Sequence, residues 1–382
     1  MNAPPKYMRD FLTRLSNAGF ESFLAGGCVR DLVMGLRPND YDVATPALPE
    51  DIHKIFKKTY DTGVKHGTVT VLYRSKRVEV TTFRSEGGYI GHRRPEAVRF
   101  ESDITADLSR RDFTMNAMAL SKEGALFDPF GGICDISKKI IRAVGEPERR
   151  FDEDALRMLR ALRFSAVLGF EIKPQTLAAI KKMAPLARSL SAERVRDELL
   201  KTLLSSRPQT IAHMVSLGLL DDYLPGGFDL SPIARLPKRA GVRLTALCLY
   251  SGSEPERLLR NLKFDNKTIN TVSAALATAK DMPEDDYTLK RALGKHGAEA
   301  LSIAAALSKK RKATALRRIL ASGECFSLEM LAVGGDDLAA LGISPGRDMG
   351  RILEGLYDHA LRHPEDNRRE ILEGMVKKDL GI

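Results

Sequence analysis

Cysteine is scarce, and the little there is cannot staple this chain. Its 382 residues hold four, Cys28, Cys134, Cys248 and Cys325, far apart and with no CxxC pair. That spacing argues against a zinc site or a disulfide framework and fits a reducing cytoplasm. Long apolar runs are missing too: none approaches the ~18 residues that a membrane span requires. The opening MNAPPKYMRDFLTRL carries charges where a secretory signal needs its apolar stretch. A cytoplasmic protein is therefore expected. There is no fixed-period repeat and no low-complexity tract, so neither a solenoid nor a disordered polar chain is in view.

What remains is an ordinary globular composition, 43% hydrophobic and 29% charged, with length enough for two to four domains. Sixty Lys+Arg face fifty Asp+Glu, a net charge of +10. That balance suits a polyanionic partner such as nucleic acid. The KKRK run at 309–312 reads most simply as a solvated helix end.

Residues 1–142 mix periods. RDFLTRLSNAGF reads as a helix stopped by glycine, ESFLAGG as a strand running into a tight turn, CVRDLVMG as a helix, YDVAT as a strand and LPEDIHKIFKK as a helix. TVTVLYRSKRVEVTTF reads as two strands joined at Arg74–Lys76. From about residue 143 the strand signals nearly vanish. EDALRMLRALRFSAVLGF, KPQTLAAIKKMAPLARSL and SAERVRDELLKTLLSS are helical, the last with Ser191 at a plausible N-cap, and roughly eight more helices follow. The expected class is α+β: a head with a small mixed or antiparallel sheet, then an all-α remainder.

The chemistry is concentrated in GGCVRDLVMGLRPNDYDVAT, residues 26–45. On a strand Asp40 and Asp42 share a face. Two adjacent carboxylates repel unless protonated or bridged by a cation, and hard oxygen ligands suit Mg²⁺. Alone, such a pair is most often an exposed turn pair, and NDYD has turn character. The glycines before it change that balance. Gly26 and Gly27 let backbone approach a phosphate, the helix after them offers N–H groups, and Arg30 adds charge. A phosphate cradle ahead of a metal-binding pair is the layout of a two-metal nucleotidyl transferase. Glu79, between Val78 and Val80, is the candidate third carboxylate. The EDALR stretch, read as one continuous helix, puts Asp154, Arg157, Arg160 and Arg163 within about half the circumference, opposite Ala155, Met158, Leu159 and Leu162. A solvated basic face is the ordinary reading of such a helix.

GGCVRD…NDYDVAT, RRDFTMNAMA (110–119), DPFGG (128–132), EDALRMLRALRF (153–164) and SAERVRDELLK (191–201) occur in that order. Together they resemble the class II tRNA nucleotidyltransferases, the CCA-adding enzymes and their bacterial poly(A) polymerase relatives in the polymerase-β superfamily. The resemblance implies a nucleotidyltransferase head at 1–142, a neck for base selection at 143–205, a body at 206–320 and a tRNA-binding tail at 321–382. It implies that Gly26, Gly27 and Arg30 hold triphosphate and that Asp40 and Asp42 hold metal. Arg110, Arg111, Asp112 and Asn116 would contact ribose and phosphates, with Asp112 accepting from a 2′-hydroxyl. Asp154 and Arg157 would select the base, and Arg160 and Arg163 would support the site or face the phosphates. Asp128, Gly131 and Gly132 would form a hinge.

The same resemblance implies CTP, ATP and tRNA as substrates, and pyrophosphate release. The span 82–114 contains the family's flexible loop at full length, which favours complete CCA addition or A addition. It departs from many members at Gly91 and His92, ahead of RRP. The seven histidines include no His-Asp dyad of the phosphohydrolase kind, so no added phosphatase activity is expected. A-adding-only, CC-adding-only and poly(A) polymerase activities share these motifs and stay open, and the sequence does not distinguish a monomer from a homodimer.

Overall fold

The structure, a computed structural model, describes residues 2–64, 67–90, 94–308 and 310–381. Gly91 and His92 lie outside the described residues, as do Lys309 and the side chains of the rest of the KKRK run. The chain divides into two compact units, Met1–Asp222 and Tyr223–Ile382.

In the first unit α1 (Lys6–Asn17) buries Met8, Phe11, Leu12 and Leu15 completely, one stripe at helical spacing. There follow β1 (Phe23–Ala25), α2 (Gly27–Val33), β2 (Asp42–Thr45), α3 (Pro49–Ile55), β3 (Thr59–Gly63), β4 (Thr68–Tyr73) and β5 (Lys76–Thr82). Next come β6 (Arg84–Ile90), β7 (Arg94–Phe100), α4 (Ile104–Ser109), β8 (Ala119–Leu120), β9 (Leu126–Phe127) and α5 (Gly132–Ser137). Seven of the strands form one mixed sheet in the order β3-β4-β5-β2-β1-β8-β9, with β2 and β5 parallel. Strand alternation gives it two buried faces. Leu24 and Val43 point into a core with α1, Cys28 and Ile52, whereas Phe23, Ala25 and Ala44 pack with Phe83 and Leu108.

The β4–β5 hairpin turns through Arg74 and Ser75, at φ 49° and 63°. Positive φ at both central residues matches the twist of the flanking strands and fixes the register. That register, together with the parallel pairing of β2 and β5, sets Glu79 directly opposite Asp42. The strand at YDVAT is shorter than expected. It begins at Asp42, and Asp40 lies in the bend before it. Turn character won at Asn39–Asp40, as NDYD chemistry allows. The span 82–114 is not all loop: β6 and β7 pair antiparallel and α4 follows, its N-cap Asp103 accepting the Thr105 N–H at 2.9 Å. The DPFGG segment is anchored, because Asp128 accepts the N–H groups of Gly132 and Ile133 at the start of α5, at 2.6 and 2.9 Å.

Beyond β10 (Ile140–Ile141) come α6 (Pro147–Glu153), α7 (Leu156–Leu168), β11 (Glu171–Ile172), α8 (Pro174–Met183), α9 (Ala192–Leu203) and α10 (Thr210–Ser216). EDALR is therefore not one helix. Asp154 breaks it with extended backbone at φ −147° and ψ 103°. Its Oδ1 accepts the Leu156 N–H at 3.1 Å, which satisfies a free donor at the start of α7. Ser191 precedes α9 as expected, but its hydroxyl makes no capping bond.

The second unit is helical, from α11 (Ala240–Ser251) and α12 (Pro255–Asn261) through α13 (Asn266–Lys280), α14 (Asp286–Leu307), α15 (Lys310–Ser322), α16 (Gly335–Ala340), α17 (Arg347–Arg362) and α18 (Arg369–Leu380). Within it Lys290 is buried, paired with Glu324 at 2.5 Å and donating to the Leu361 carbonyl at the end of α17.

Candidate active site

A cavity of about 620 Å³ opens in the first unit. Thirteen of the fourteen residues singled out by the sequence line it: Gly26, Gly27, Arg30, Asp40, Asp42, Arg110, Arg111, Asp112, Asn116, Asp154, Arg157, Arg160 and Arg163. Glu79 does not, but it stands beside Asp42 on the neighbouring strand. The wall also contains Phe164 and Lys201. Both close motif strings quoted above, EDALRMLRALRF and SAERVRDELLK, and neither was singled out.

At Gly26 the backbone takes φ 81° and ψ −136°. Side chains rarely adopt that conformation, and a Cβ there would lie 2.5 Å from Arg111 Nη1. Glycine thus keeps the strand-to-helix turn open directly under an arginine.

The acidic end is strained electrostatically. Asp42 reaches solvent through the cavity mouth, yet protein crowds it closely. Desolvation is the first cause pushing its carboxyl up to about 6; Arg111 opposes the rise, and Glu79 and Asp40 add to it. A divalent cation would relieve this repulsion, so the donor set fits one. No group of three His, Cys, Asp or Glu side chains converges on a closed metal site among the described residues. That suits an ion completed by water and phosphate oxygens rather than by protein alone.

The cationic wall is held by buried carboxylates. Asp107, fully buried, accepts from Arg110 at 2.7 and 3.0 Å and from Arg111 at 3.0 Å. Its place three and four residues ahead of them on one helical turn was legible in DLSRRD. Glu153 holds Arg157 at 2.8 Å, and Arg157 donates on to the Arg110 carbonyl at 2.9 Å. Glu198, in α9, holds Arg163 at 2.5 Å. Asp154 takes Arg194 on its Oδ2 at 2.8 Å. The basic face of α7 is thus a paired seam and not a solvated one.

Asp112 has no free acceptor. Oδ1 takes the Phe113 N–H at 2.8 Å and the Asn116 amide at 3.0 Å, and Oδ2 takes Arg160 at 2.7 and 2.8 Å. Two bonds per oxygen use the capacity of a carboxylate. To receive a ribose hydroxyl, Asp112 must release one of them. As it stands it positions Asn116, which in turn accepts from Arg30 at 2.8 Å, and Arg160.

This pairing has a pH signature. Burial alone would raise the Asp112 carboxyl, but Arg160 and Asn116 overcome that and hold it at about 2. The unfolded value is about 3.9, so the stabilisation is complete above that pH and is lost as pH falls toward 2. Asp112→Asn is expected to cost about 2 kcal/mol at neutral pH and to flatten the stability profile between roughly pH 4 and 2. Urea unfolding across that range measures it, and parallel acid limbs for the two proteins would contradict it.

Paired carboxylates at the start of the sheet's central strand, a glycine turn and a fan of arginines suit a nucleoside triphosphate that gives up its pyrophosphate. Fold and site together define a polymerase-β-like nucleotidyltransferase. Known proteins agree. A family model described as "Poly A polymerase head domain" matches residues 22–142, and one for a tRNA nucleotidyltransferase domain 2 matches 239–376. The chain is 37% identical to a CCA-adding enzyme of Limosilactobacillus fermentum, over 97% of this chain and 93% of that one. It is likewise 37% identical to one of Geobacillus stearothermophilus, over 97% and 96%. A crystal structure of the Bacillus stearothermophilus CCA-adding enzyme in complex with CTP aligns over 100% of both chains with a TM-score of 0.84 and 33% identity. The chain belongs to the CCA-adding enzyme family, tRNA nucleotidyltransferases that work with divalent metal ions. No helix among the described residues is long and apolar enough to cross a membrane.

Proposed function

We infer that this chain adds CCA to the 3′ end of tRNA without a nucleic-acid template, using CTP and ATP. The observation that carries the reading is the single cavity that joins Asp40 and Asp42 to Arg30, Arg110 and Arg111, and both to Asp154 and Arg157. In this reading the RNA 3′-hydroxyl attacks the α-phosphorus and pyrophosphate leaves. The Gly26–Gly27 turn and the arginines of α2 and of the segment after α4 hold the triphosphate. Asp40 and Asp42, with Glu79 behind them, would hold Mg²⁺, chosen because every donor is a hard oxygen. Such metal would supply activation of the attacking hydroxyl and charge relief at the leaving pyrophosphate. Asp112 and Asn116 face the ribose, and Arg160 and Arg163 face the phosphates.

Asp154 accepts from an exocyclic amine, which cytosine and adenine carry and uracil lacks, and Arg157 donates to the ring nitrogen or carbonyl. The protein itself then stands in for a template base. The roles by segment are head 1–142, neck 143–205, body 206–320 and tail 321–382, with the helical second unit taking the tRNA by shape. The cytoplasm is the proposed compartment.

The test is incorporation on tRNA ending at the discriminator base, in C, or in CC, with CTP, ATP or both. Two C and one A on the bare end are expected. A added only to the CC end, C alone, or long A tails would each replace this reading with an A-adding enzyme, a CC-adding enzyme or a poly(A) polymerase.

A further inference from the structure

Phe164 is the one aromatic side chain in the cavity wall among the described residues, and three guanidiniums gather on it. Arg163 lies 3.7 Å from the ring centroid, Arg30 5.3 Å and Arg160 5.4 Å. Phe113 meets the ring edge-on at 5.8 Å and 85°, which fixes its plane. The side chain is almost wholly buried, at 6% exposure.

Three like charges about one point repel, and in a partly desolvated pocket that repulsion is strong. Each arginine has a hydrogen-bonding partner at its edge: Asp31 and Asn116 for Arg30, Asp112 for Arg160 and Glu198 for Arg163. Those partners lie on different elements and are linked only pairwise, Asn116 donating to Asp112 at 3.0 Å and Glu198 reaching Arg160, at 3.9 Å, as well as Arg163. Only the ring is common to all three, and its π face attracts a guanidinium at no cost in hydrogen bonds.

We propose that Phe164 is a positioning residue for nucleotide binding: its ring gathers Arg30, Arg160 and Arg163 into one set that meets the polyphosphate of the incoming nucleoside triphosphate. The proposal rests on the reading of this cavity as the triphosphate site. It adds a residue that works through the arginines and touches no reacting atom.

Fluorination of the ring separates this role from packing, because shape is nearly kept while the attraction for cations falls. The full chain carrying phenylalanine, or its mono-, di- or trifluoro analogue, at 164 is titrated with CTP, ATP and CMP. The Kd for CTP and ATP is expected to rise in graded order, reaching about tenfold for the trifluoro ring. The Kd for CMP should change less than twofold, and thermal unfolding should not move. Phe164→Leu should weaken both triphosphates at least as much as the trifluoro ring does. A flat series, or CMP weakened as much as CTP, overturns the proposal. Wild-type incorporation in the same assay tells the two ideas apart. A flat series beside normal incorporation removes only the role of Phe164, whereas a wild type that transfers neither CMP nor AMP removes the triphosphate reading and this proposal with it.

Discussion

Asp42→Asn is expected to lower CMP and AMP incorporation by about 10³-fold or more while leaving tRNA affinity within about twofold. Asp42 opens β2, with Glu79 opposite it and Asp40 in the bend before it. In the proposed reading, removing its charge removes one of the ligands of the divalent ion. The loss cannot be assigned to misfolding, and the sign of the Asp42 shift says why. A carboxyl raised to about 6 in the folded chain is more acidic when unfolded, near 3.9. Its contribution to stability is therefore greatest below pH 4 and falls as pH rises through 6. At neutral pH the ionised group is a burden in the absence of a cation, and asparagine relieves it. The variant should unfold at the same or higher temperature than the parent. Steady-state incorporation, filter binding of tRNA and thermal melts read the three quantities. A parallel loss of tRNA affinity would move Asp42 from the metal to the RNA.

The second large effect is on choice of base. Asp154→Ala should reduce the preference for CTP over UTP by about 10²-fold, chiefly by weakening CTP. Asp154 is presented by a break between two helices and not by the face of one. Leu156 N–H and Arg194 hold its two oxygens from behind, and each oxygen keeps a further lone pair for an amine. A buried polar site rejects a partner that cannot complete its bonds, and the alanine variant loses that means of rejection. Arg194→Ala frees the carboxylate without deleting it, so a smaller loss, about tenfold, is expected from misorientation alone. Competition between CTP and UTP on one tRNA end measures both. Selectivity unchanged in Asp154→Ala would place base choice elsewhere.

Much of this site could be read from the residues because its parts are local in sequence. GGCVRD, NDYD and RRDFTMNA each carry their spacing with them, and the structure sets all three around one cavity. The α+β class, the helical remainder and the Arg74–Lys76 hairpin were legible for the same reason: period and turn chemistry are short-range. The misses are those of longer range or of competing local rules. Asp40 fell out of the strand because turn chemistry outweighed alternation over a single residue. Asp154 broke its helix because a carboxylate competes for backbone N–H groups. The β6–β7 ribbon hid behind paired glycines and a proline, residues that ordinarily mark loops. SAERVRDELLK stood out as a motif, but nothing in it says that Glu198 and Arg194 meet Arg163 and Asp154, 35 and 40 positions away. Phe164 was not singled out; it is buried, and nothing in a periodic pattern says that arginines will stack on it.

The carboxylate of Asp112 also bears on how the chain comes off the ribosome. Its counterion Arg160 lies 48 residues downstream, and Arg160 in turn belongs to a seam finished by Glu198. A nascent chain that has emerged only through residue 142 holds both aspartates, the glycine turn and RRD. It would have to close over an anion whose partner is not yet made, a state that costs roughly 3–5 kcal/mol when a buried pair is broken. The sheet can collapse early, but the Asp112 side of the cavity waits for α7 and α9. Residues 1–222 form one compact unit, so a split of the gene near residue 142 should yield an inert first half.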